Sequence, residues 1–330
     1  MARYLVTGGA GFIGSHIVER LVRLGESVVV LDNLSTGTFA NLAPWLESIT
    51  FVQGDIRHLP TVREACIGAD YVLHQAALPS VPRSVNDPIA SNDANVGGTL
   101  NVLVAARDAG VRRVVYAGSS SAYGDTPTLP KREDMPARPL SPYAVSKYTG
   151  ELYCQVFAKL YSLETVVLRY FNVFGPRQDP TSHYAAAIPK FIIALQQGTR
   201  PVIYGDGEQS RDFTYVANAI EANLLACRAE EAAGEVINIA CGQRTSLNQL
   251  VHMLGRIAHS DLGAAHEKAR AGDVKHSLAD IAKAQRLLGY SPAVSLEEGL
   301  THTSEYYALL SAQRALCPPP ARLSAVSEGR

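Results

Sequence analysis

The stretch Thr7-Gly8-Gly9-Ala10-Gly11-Phe12-Ile13-Gly14 lies between a β-rich run at 4–7 and an amphipathic helix at 12–24. Spaced glycines at a strand-to-helix turn leave few folds open. Gly8 permits a tight turn, Gly11 clears room for a pyrophosphate, and Gly14 lets helix and strand pack closely. The helix start then offers free N–H groups and a partial positive charge to a diphosphate. Asp32 follows 18 residues after Gly14, at the carboxyl end of the next strand, 27–31. A carboxylate there can accept hydrogen bonds from an adenosine ribose and repels a 2′-phosphate, which predicts NAD rather than NADP. The competing reading makes Asp32 only a cap on the turn Asp32-Asn33-Leu34-Ser35. Asp55 and Ile56 follow the third strand, where an adenine edge would lie.

The periodicity predicts further strands at 49–52, 71–74, 113–117 and 165–169, and helices at 95–109 and 142–161. Strands alternating with helices imply parallel pairing and a doubly wound α/β sheet. After about residue 172 the rhythm breaks into Gly/Pro-rich stretches, helices at 184–197, 216–229 and 247–258, and a strand at 236–240. That predicts a second, smaller lobe threaded through the first. One unit would take 1–171 with about 213–239, the other about 172–212 with 240–316. Residues 317–330 read as a disordered tail.

Composition narrows the function classes. The 330 residues are 47% hydrophobic and 18% charged, with 30 Lys plus Arg against 31 Asp plus Glu. That balance argues against general nucleic-acid binding. No apolar run approaches the ~20 residues of a membrane helix, and no signal peptide is read at the start. Five scattered cysteines without C-x-x-C predict reduced thiols in a cytoplasmic protein. No His or carboxylate cluster has metal-ligand spacing, so no metal is expected.

Chemistry is carried by Tyr143-Ala-Val-Ser-Lys147, which opens a helix. Residues i and i+4 share a face, so Lys147 would lie near the Tyr143 phenol and draw its pKa toward neutrality as a general base. Gly118-Ser119-Ser120-Ser121-Ala122-Tyr123-Gly124 follows the strand at 113–117, at the end of the sheet where ligands bind. A serine hydroxyl there can relay a proton to Tyr143. A regulatory protein that merely senses NAD need not retain Tyr143 and Lys147, and this chain has both.

These motifs, with Asp32-Asn-Leu-Ser-Thr-Gly37, His74-Gln-Ala-Ala77 and Arg169-Tyr-Phe-Asn-Val-Phe-Gly-Pro-Arg-Gln178, resemble the extended short-chain dehydrogenase/reductase family. Within it the chain is most similar to nucleotide-sugar 4-epimerases, and there to bacterial UDP-N-acetylglucosamine 4-epimerases of surface-polysaccharide (O-antigen) synthesis. The similarity runs from residue 3 to about Tyr307.

The resemblance implies a Rossmann lobe holding NAD and a C-terminal lobe for a UDP-sugar. Tyr143 would take the proton of the sugar 4-hydroxyl while hydride leaves carbon 4. The 4-keto sugar would turn over in the pocket and be reduced from its other face. Lys147 would hold the nicotinamide ribose, and Ser119 or Ser120 would be the catalytic serine. Cofactor contacts would come from Gly8, Gly11, Phe12, Ile13 and Gly14. Asp32, Asn33, Ser35, Thr36, Gly37, Asp55 and Ile56 would follow, then Gln75, Ala76, Ala77, Asn95, Tyr143, Lys147 and Tyr170. Substrate contacts would come from Ser80, Arg83, Ser119, Ser120, Ser121, Asn172, Gln178, Ala186, Arg211, Arg270, Asp273 and Ser277. Arg211 and Arg270 suit a diphosphate because a guanidinium gives bidentate, charge-assisted bonds.

Ser277 is the specificity clue. A bulky tyrosine stands at the matching position of relatives restricted to UDP-glucose and UDP-galactose, and serine leaves room for a 2-N-acetyl group. Its local reading is an N-cap, since Ser277-Leu-Ala-Asp280 has capping-box spacing. Residues 119–122 contain no acid, unlike the relatives that eliminate water or decarboxylate. A uronic-acid sugar would need a cation near carbon 6, for which Arg83 is the candidate. The resemblance also implies a homodimer through a four-helix bundle, built from the helices at 95–109 and 143–161.

Overall fold

The computed structural model describes residues 1–180, 187–269 and 274–316, the last three of these by backbone only. Ala186, Arg270, Asp273 and the tail lie outside the described residues. Seven strands form one sheet: β1 (Arg3–Thr7), β2 (Ser27–Asp32), β3 (Ile49–Gln53), β4 (Tyr71–His74), β5 (Arg113–Ser119), β6 (Glu164–Tyr170) and β7 (Val236–Ile239). Their order is β7-β6-β5-β4-β1-β2-β3, and every neighbouring pair is parallel. This is the doubly wound sheet that the alternation predicted. The central strands read as continuous apolar runs because both faces are covered.

On one face, Val6, Val28, Val30 and Val115 pack against Ile17, Val18 and Leu21 of the helix Phe12–Arg23. Ala219, Ile220 and Leu224 of the helix Val216–Arg228 complete that layer. On the other face, Leu5, Val29, Leu31, Val72 and Val114 meet Val62 and Cys66, Val102, Leu103 and Ala106, and Cys154 and Phe157. A separate core gathers Phe174, Phe191, Ile192, Phe213, Leu250, Leu254, Leu300 and Tyr307. It joins the helices Ala187–Gln196, Leu247–Ile257 and Leu296–Leu316. The helix Ala282–Leu288 returns to the sheet, where Ala284 and Leu288 are buried in the first core.

The winding direction changes between β1 and β4, and a crevice opens at their carboxyl ends. Gly8 N–H bonds Leu31 O at 2.8 Å, and Gln75 N–H bonds Thr7 O at 3.1 Å, which ties the ends of β1, β2 and β4 together at the crevice. Buried His74 braces the spot. Its ring nitrogens pair with the Thr7 hydroxyl at 2.7 Å and the Thr99 hydroxyl at 3.0 Å, and burial holds it neutral, with a pKa near 3. No helix among the described residues is long and apolar enough to cross a membrane.

Candidate active site

Two cavities open at the carboxyl edge of the sheet and share a wall. The first, about 400 Å³, is lined from the glycine loop through Asp32 and Asp55 to Gln75–Ala77, Lys147 and Tyr170. The second, about 470 Å³, runs from Ser119–Ser121 to Asn172, Gln178, Arg211 and Ser277. Phe12, Ile13, Pro79, Gly118, Tyr143 and Tyr170 line both.

The glycine loop fits a pyrophosphate for steric reasons seen in the backbone. Gly8 has φ +70°, and a Cβ on it would stand 2.7 Å from Ala76 Cα. A Cβ on Gly14 would stand 2.1 Å from Gly8 O, so only glycine lets the helix approach the turn. The helix Phe12–Arg23 has Gly11 as N-cap and no side-chain cap, leaving its first N–H groups facing the cavity mouth for an anion. Asp32 is both cap and wall. It accepts from Ala10 N–H at 2.9 Å and Leu34 N–H at 2.8 Å, and it lines the first cavity. Its oxygens keep lone pairs for a ribose hydroxyl. The donor set and cradle therefore fit an NAD dinucleotide.

Gly8, Gly11, Phe12, Ile13, Gly14, Asp32, Asn33, Ser35, Thr36, Asp55, Ile56, Gln75, Ala76, Ala77, Tyr143, Lys147 and Tyr170 all line this cavity. Two expected contacts do not. A Cβ on Gly37 would stand 2.7 Å from the carbonyl carbon of Ala10, so this glycine packs against the loop backbone outside the cavity lining. Asn95 is 1% exposed and turns to Leu78 N–H (2.7 Å), Leu78 O (3.1 Å) and Ser146 Oγ (3.0 Å). It braces the wall. Arg57, which sequence reading passed over, lines the cavity and forks onto Asp55 at 2.7 and 3.0 Å, holding that carboxyl well below the usual range. No motif marks it, since Asp-x-Arg is common by chance.

The helix that carries Tyr143 and Lys147 is fixed at its first turn. Ser141 caps the helix Pro142–Leu160 through Ala144 N–H at 3.1 Å, and Ser84 Oγ accepts Tyr143 N–H at 2.9 Å. Ser119 is the side chain that draws the Tyr143 phenol's pKa down against burial, and both residues line the second cavity. Ser119 is itself held by Ser121, through the paired hydroxyls at 2.8 Å and Ser121 N–H at 3.2 Å. Lys147 is 4% exposed, with Nζ 4.3 Å from the Tyr116 ring centroid. The Tyr116 hydroxyl donates to Lys147 O at 3.2 Å.

The electrostatics differ from the sequence expectation. Lys147 was expected to draw the Tyr143 phenol toward neutrality. Burial instead pushes the phenol above its ordinary value, and the Ser119 hydrogen bond is the opposing influence. Burial also drops the Lys147 ammonium to about 7. Low dielectric disfavours both charged forms at once, so the spacing alone overstates what the lysine does to the phenol.

In the second cavity, Ser119, Ser120, Ser121, Asn172, Gln178, Arg211 and Ser277 are brought together as expected. Gln178 Oε1 is buried and has no partner among the described residues, an acceptor in the wall waiting for a donor. Ser80 and Arg83 do not line the cavity. Ser80, at φ +97°, caps the helix Val81–Asn86 by accepting Arg83 N–H, a local role that the sequence pattern did not reveal. The capping reading of Ser277 is overturned. Residues 277–281 are not helical, the next helix begins at Ala282, and Ser277 N–H bonds Ser210 O at 3.0 Å. Lys131 and His276 line the cavity and went unnoticed. Lys131 reaches it through a bridge to Ala279, a long-range pairing with no local signature. Among the described lining residues there is no Asp or Glu.

Comparison with known proteins agrees with this geometry. The family model described as "NAD dependent epimerase/dehydratase family" matches residues 4–240. A UDP-N-acetylglucosamine 4-epimerase from Methanobrevibacter ruminantium M1, solved with UDP-N-acetylmuramic acid, superposes with a TM-score of 0.90. It is 41% identical, over 94% of this chain and 99% of that one. The UDP-glucose 4-epimerase of Mycolicibacterium smegmatis is 39% identical over 310 residues, 92% of this chain and 98% of that protein. The UDP-glucuronate 4-epimerase of Thermodesulfobacterium geofontis is 36% identical over 316 residues, 92% and 95% of the two chains.

Proposed function

The chain belongs to the NAD dependent epimerase/dehydratase family, and from that premise we propose that it is an NAD-using UDP-sugar 4-epimerase that interconverts UDP-GlcNAc and UDP-GalNAc. The carrying observation is the shared wall. Tyr143 borders both cavities, with Ser119 beside it in the second, and no carboxylate lines the substrate side among the described residues. Elimination of water needs an acid at that wall. Oxidation and re-reduction at one carbon needs only a proton carrier.

NAD, when bound, supplies the acceptor for the carbon 4 hydride and returns it. Tyr143 takes the proton from the sugar 4-hydroxyl and gives it back after the keto sugar has turned. Ser119, rather than Ser120, shares that proton, because it is the serine that draws the phenol's pKa down against burial. Lys147 orients the ribose and supports the phenol. Arg211 and Asn172 hold the substrate diphosphate, and Gln178 Oε1 accepts from a sugar hydroxyl. The lobe division given by the sequence fits this reading, one unit for the cofactor and one for the sugar nucleotide.

The N-acetyl preference rests on Ser277, a small side chain on the cavity wall. A uronic-acid substrate fits less well. Arg83 lies off the lining, and the Lys131 ammonium is already donating to the Thr126 carbonyl and hydroxyl. Ser277→Tyr is expected to lower kcat/KM for UDP-GlcNAc by about a hundredfold or more while leaving UDP-glucose within a few-fold. A panel of UDP-GlcNAc, UDP-glucose and UDP-glucuronate, run on both proteins, reads this out. Equal losses on all three substrates would reject the size gate.

The homodimer is part of the same proposal. Val145, Leu152, Val156 and Leu160 are 42–69% exposed along one side of the helix Pro142–Leu160. A contiguous apolar stripe of that kind marks an interface. Light scattering should give a dimer for the parent and a monomer for Leu152→Glu/Val156→Glu. A monomeric parent at micromolar concentration would contradict it.

A further inference from the structure

Asp212 is fully buried, at 0% exposure, and does not line the substrate cavity. Its carboxylate nevertheless ties the strand of the lining residue Arg211 to two other segments, the turn after β7 and the stretch that follows the lining residue Ser277. Oδ1 accepts Cys241 N–H at 3.0 Å. Oδ2 accepts Gly242 N–H at 3.1 Å and Ala279 N–H at 3.2 Å. Its own carbonyl accepts Asn172 Nδ2 at 3.1 Å. Arg211 precedes it on the short strand Ser210–Arg211, and Ser277 stands two residues before Ala279. That Ser277 segment is laid against Ser210 by Ser210 N–H to Lys275 O and Ser277 N–H to Ser210 O, each at 3.0 Å. At its other end Lys131 N–H bonds Leu278 O at 2.7 Å.

We infer that Asp212 is a positioning residue for the sugar nucleotide: its carboxylate holds the Arg211 strand, the turn after β7 and the Ser277 segment in one register, and so sets substrate affinity without touching substrate. The inference rests on reading the second cavity as the UDP-sugar site. Three backbone donors converging on one anion are strong, charge-assisted bonds, and losing them removes the one anion that ties the Arg211 strand to both the turn after β7 and the stretch at Ala279. Burial raises the Asp212 carboxyl to about 6, while its N–H donors pull it down. The titratable groups that face it are the Cys241 thiol and the Tyr290 phenol, both pushed up by burial and neutral near pH 7. A protonated carboxyl carries an O–H among N–H donors and can no longer satisfy them all. Acid therefore loosens the wall, and affinity falls as pH drops through about 6.

The test compares the parent holoenzyme with Asp212→Asn, which swaps one acceptor for a donor at nearly constant size. UDP affinity is measured by calorimetry and UDP-GlcNAc turnover by chromatography, between pH 5 and pH 8. At pH 8, D212N is expected to raise the UDP dissociation constant and KM by about tenfold or more, with kcat within about twofold and NAD content unchanged. The parent's UDP affinity should weaken through pH 6 by more than that of D212N; the ionisation of UDP itself is common to both and cancels. Unchanged UDP affinity in D212N, parallel pH profiles, or a kcat loss matching the KM change would overturn the inference. If D212N does not fold, the parent's profile decides, and flat UDP affinity from pH 8 to pH 5 overturns it. Parent that binds UDP without turning over UDP-GlcNAc rejects the functional reading alone, because the affinity comparison still reads Asp212.

Discussion

Tyr143→Phe lowers kcat by about 10²- to 10⁴-fold, which corresponds to about 3–5 kcal/mol of lost transition-state stabilisation. The deleted hydroxyl belongs to a residue that lines both cavities and whose acidity is tuned by Ser119. Phenylalanine keeps the ring and the packing, so NAD content and UDP affinity should stay within about twofold of the parent. A parallel Ser119→Ala variant should lose less, because Ser119 acts on the proton through Tyr143. If Y143F retained more than about a tenth of parental kcat, another group would have to carry the proton.

Lys147→Met separates catalysis from stability. Turnover is expected to fall by about 10²-fold or more, through loss of the ribose contact and of support for the phenol. Stability at pH 7 is expected to rise. The folded lysine titrates at about 7, far below its ordinary 10.5, because burial penalises the ammonium. Between those values the unfolded chain binds more protons than the folded one, so parental stability climbs with pH from about 7 to about 10.5. Below pH 7 both states are protonated and the burial cost is fully present. Methionine removes that cost at a similar shape. Its gain in Tm should therefore be largest near pH 7 and shrink as pH rises toward 10. The ammonium over the Tyr116 ring recovers up to ~2 kcal/mol, which is less than a buried charge costs. Thermal melts across pH 6–10 check the sign. A lower Tm for K147M at pH 7 would mean that the lysine is held by more than this account gives it.

The legible parts of this chain are those whose signal is local. β1 to β6 lie within two residues of where apolar runs and turn residues placed them, because a strand covered on both faces must be apolar throughout. The glycine loop was legible because Gly8 and Gly14 have no tolerated replacement at those approaches. Tyr143, Lys147 and Ser119 were legible as ordered motifs, though their electrostatics were not. Spacing reports who is near whom, while the dielectric around Tyr143 depends on everything packed over it.

The misreadings are equally physical. Ser277-Leu-Ala-Asp280 looks like a capping box in isolation, yet its backbone is claimed by Ser210 and by Lys131, more than 60 and 140 residues away. Ser80, expected as a substrate contact, also caps a helix by accepting Arg83 N–H, a role no local pattern announced. The short helices Val81–Asn86 and Pro88–Asn92 escaped notice because neither is long enough to show a period. The helix Leu296–Leu316 escaped because its apolar residues form no clear stripe, although Leu300 and Tyr307 anchor it in the second core. Asp212 gave no signal at all, since its importance lies in three backbone donors brought to it from distant segments.

The central claim is that one hydride leaves sugar carbon 4 and returns to it within a single site. UDP-GlcNAc deuterated at carbon 4, incubated with the holoenzyme in ordinary water, tests it most directly. The account predicts UDP-GalNAc that keeps the deuterium at carbon 4, formed more slowly than from unlabelled substrate and with no net change in NAD. Product that has exchanged the label with water, or no UDP-GalNAc at all from protein with NAD bound, would contradict it.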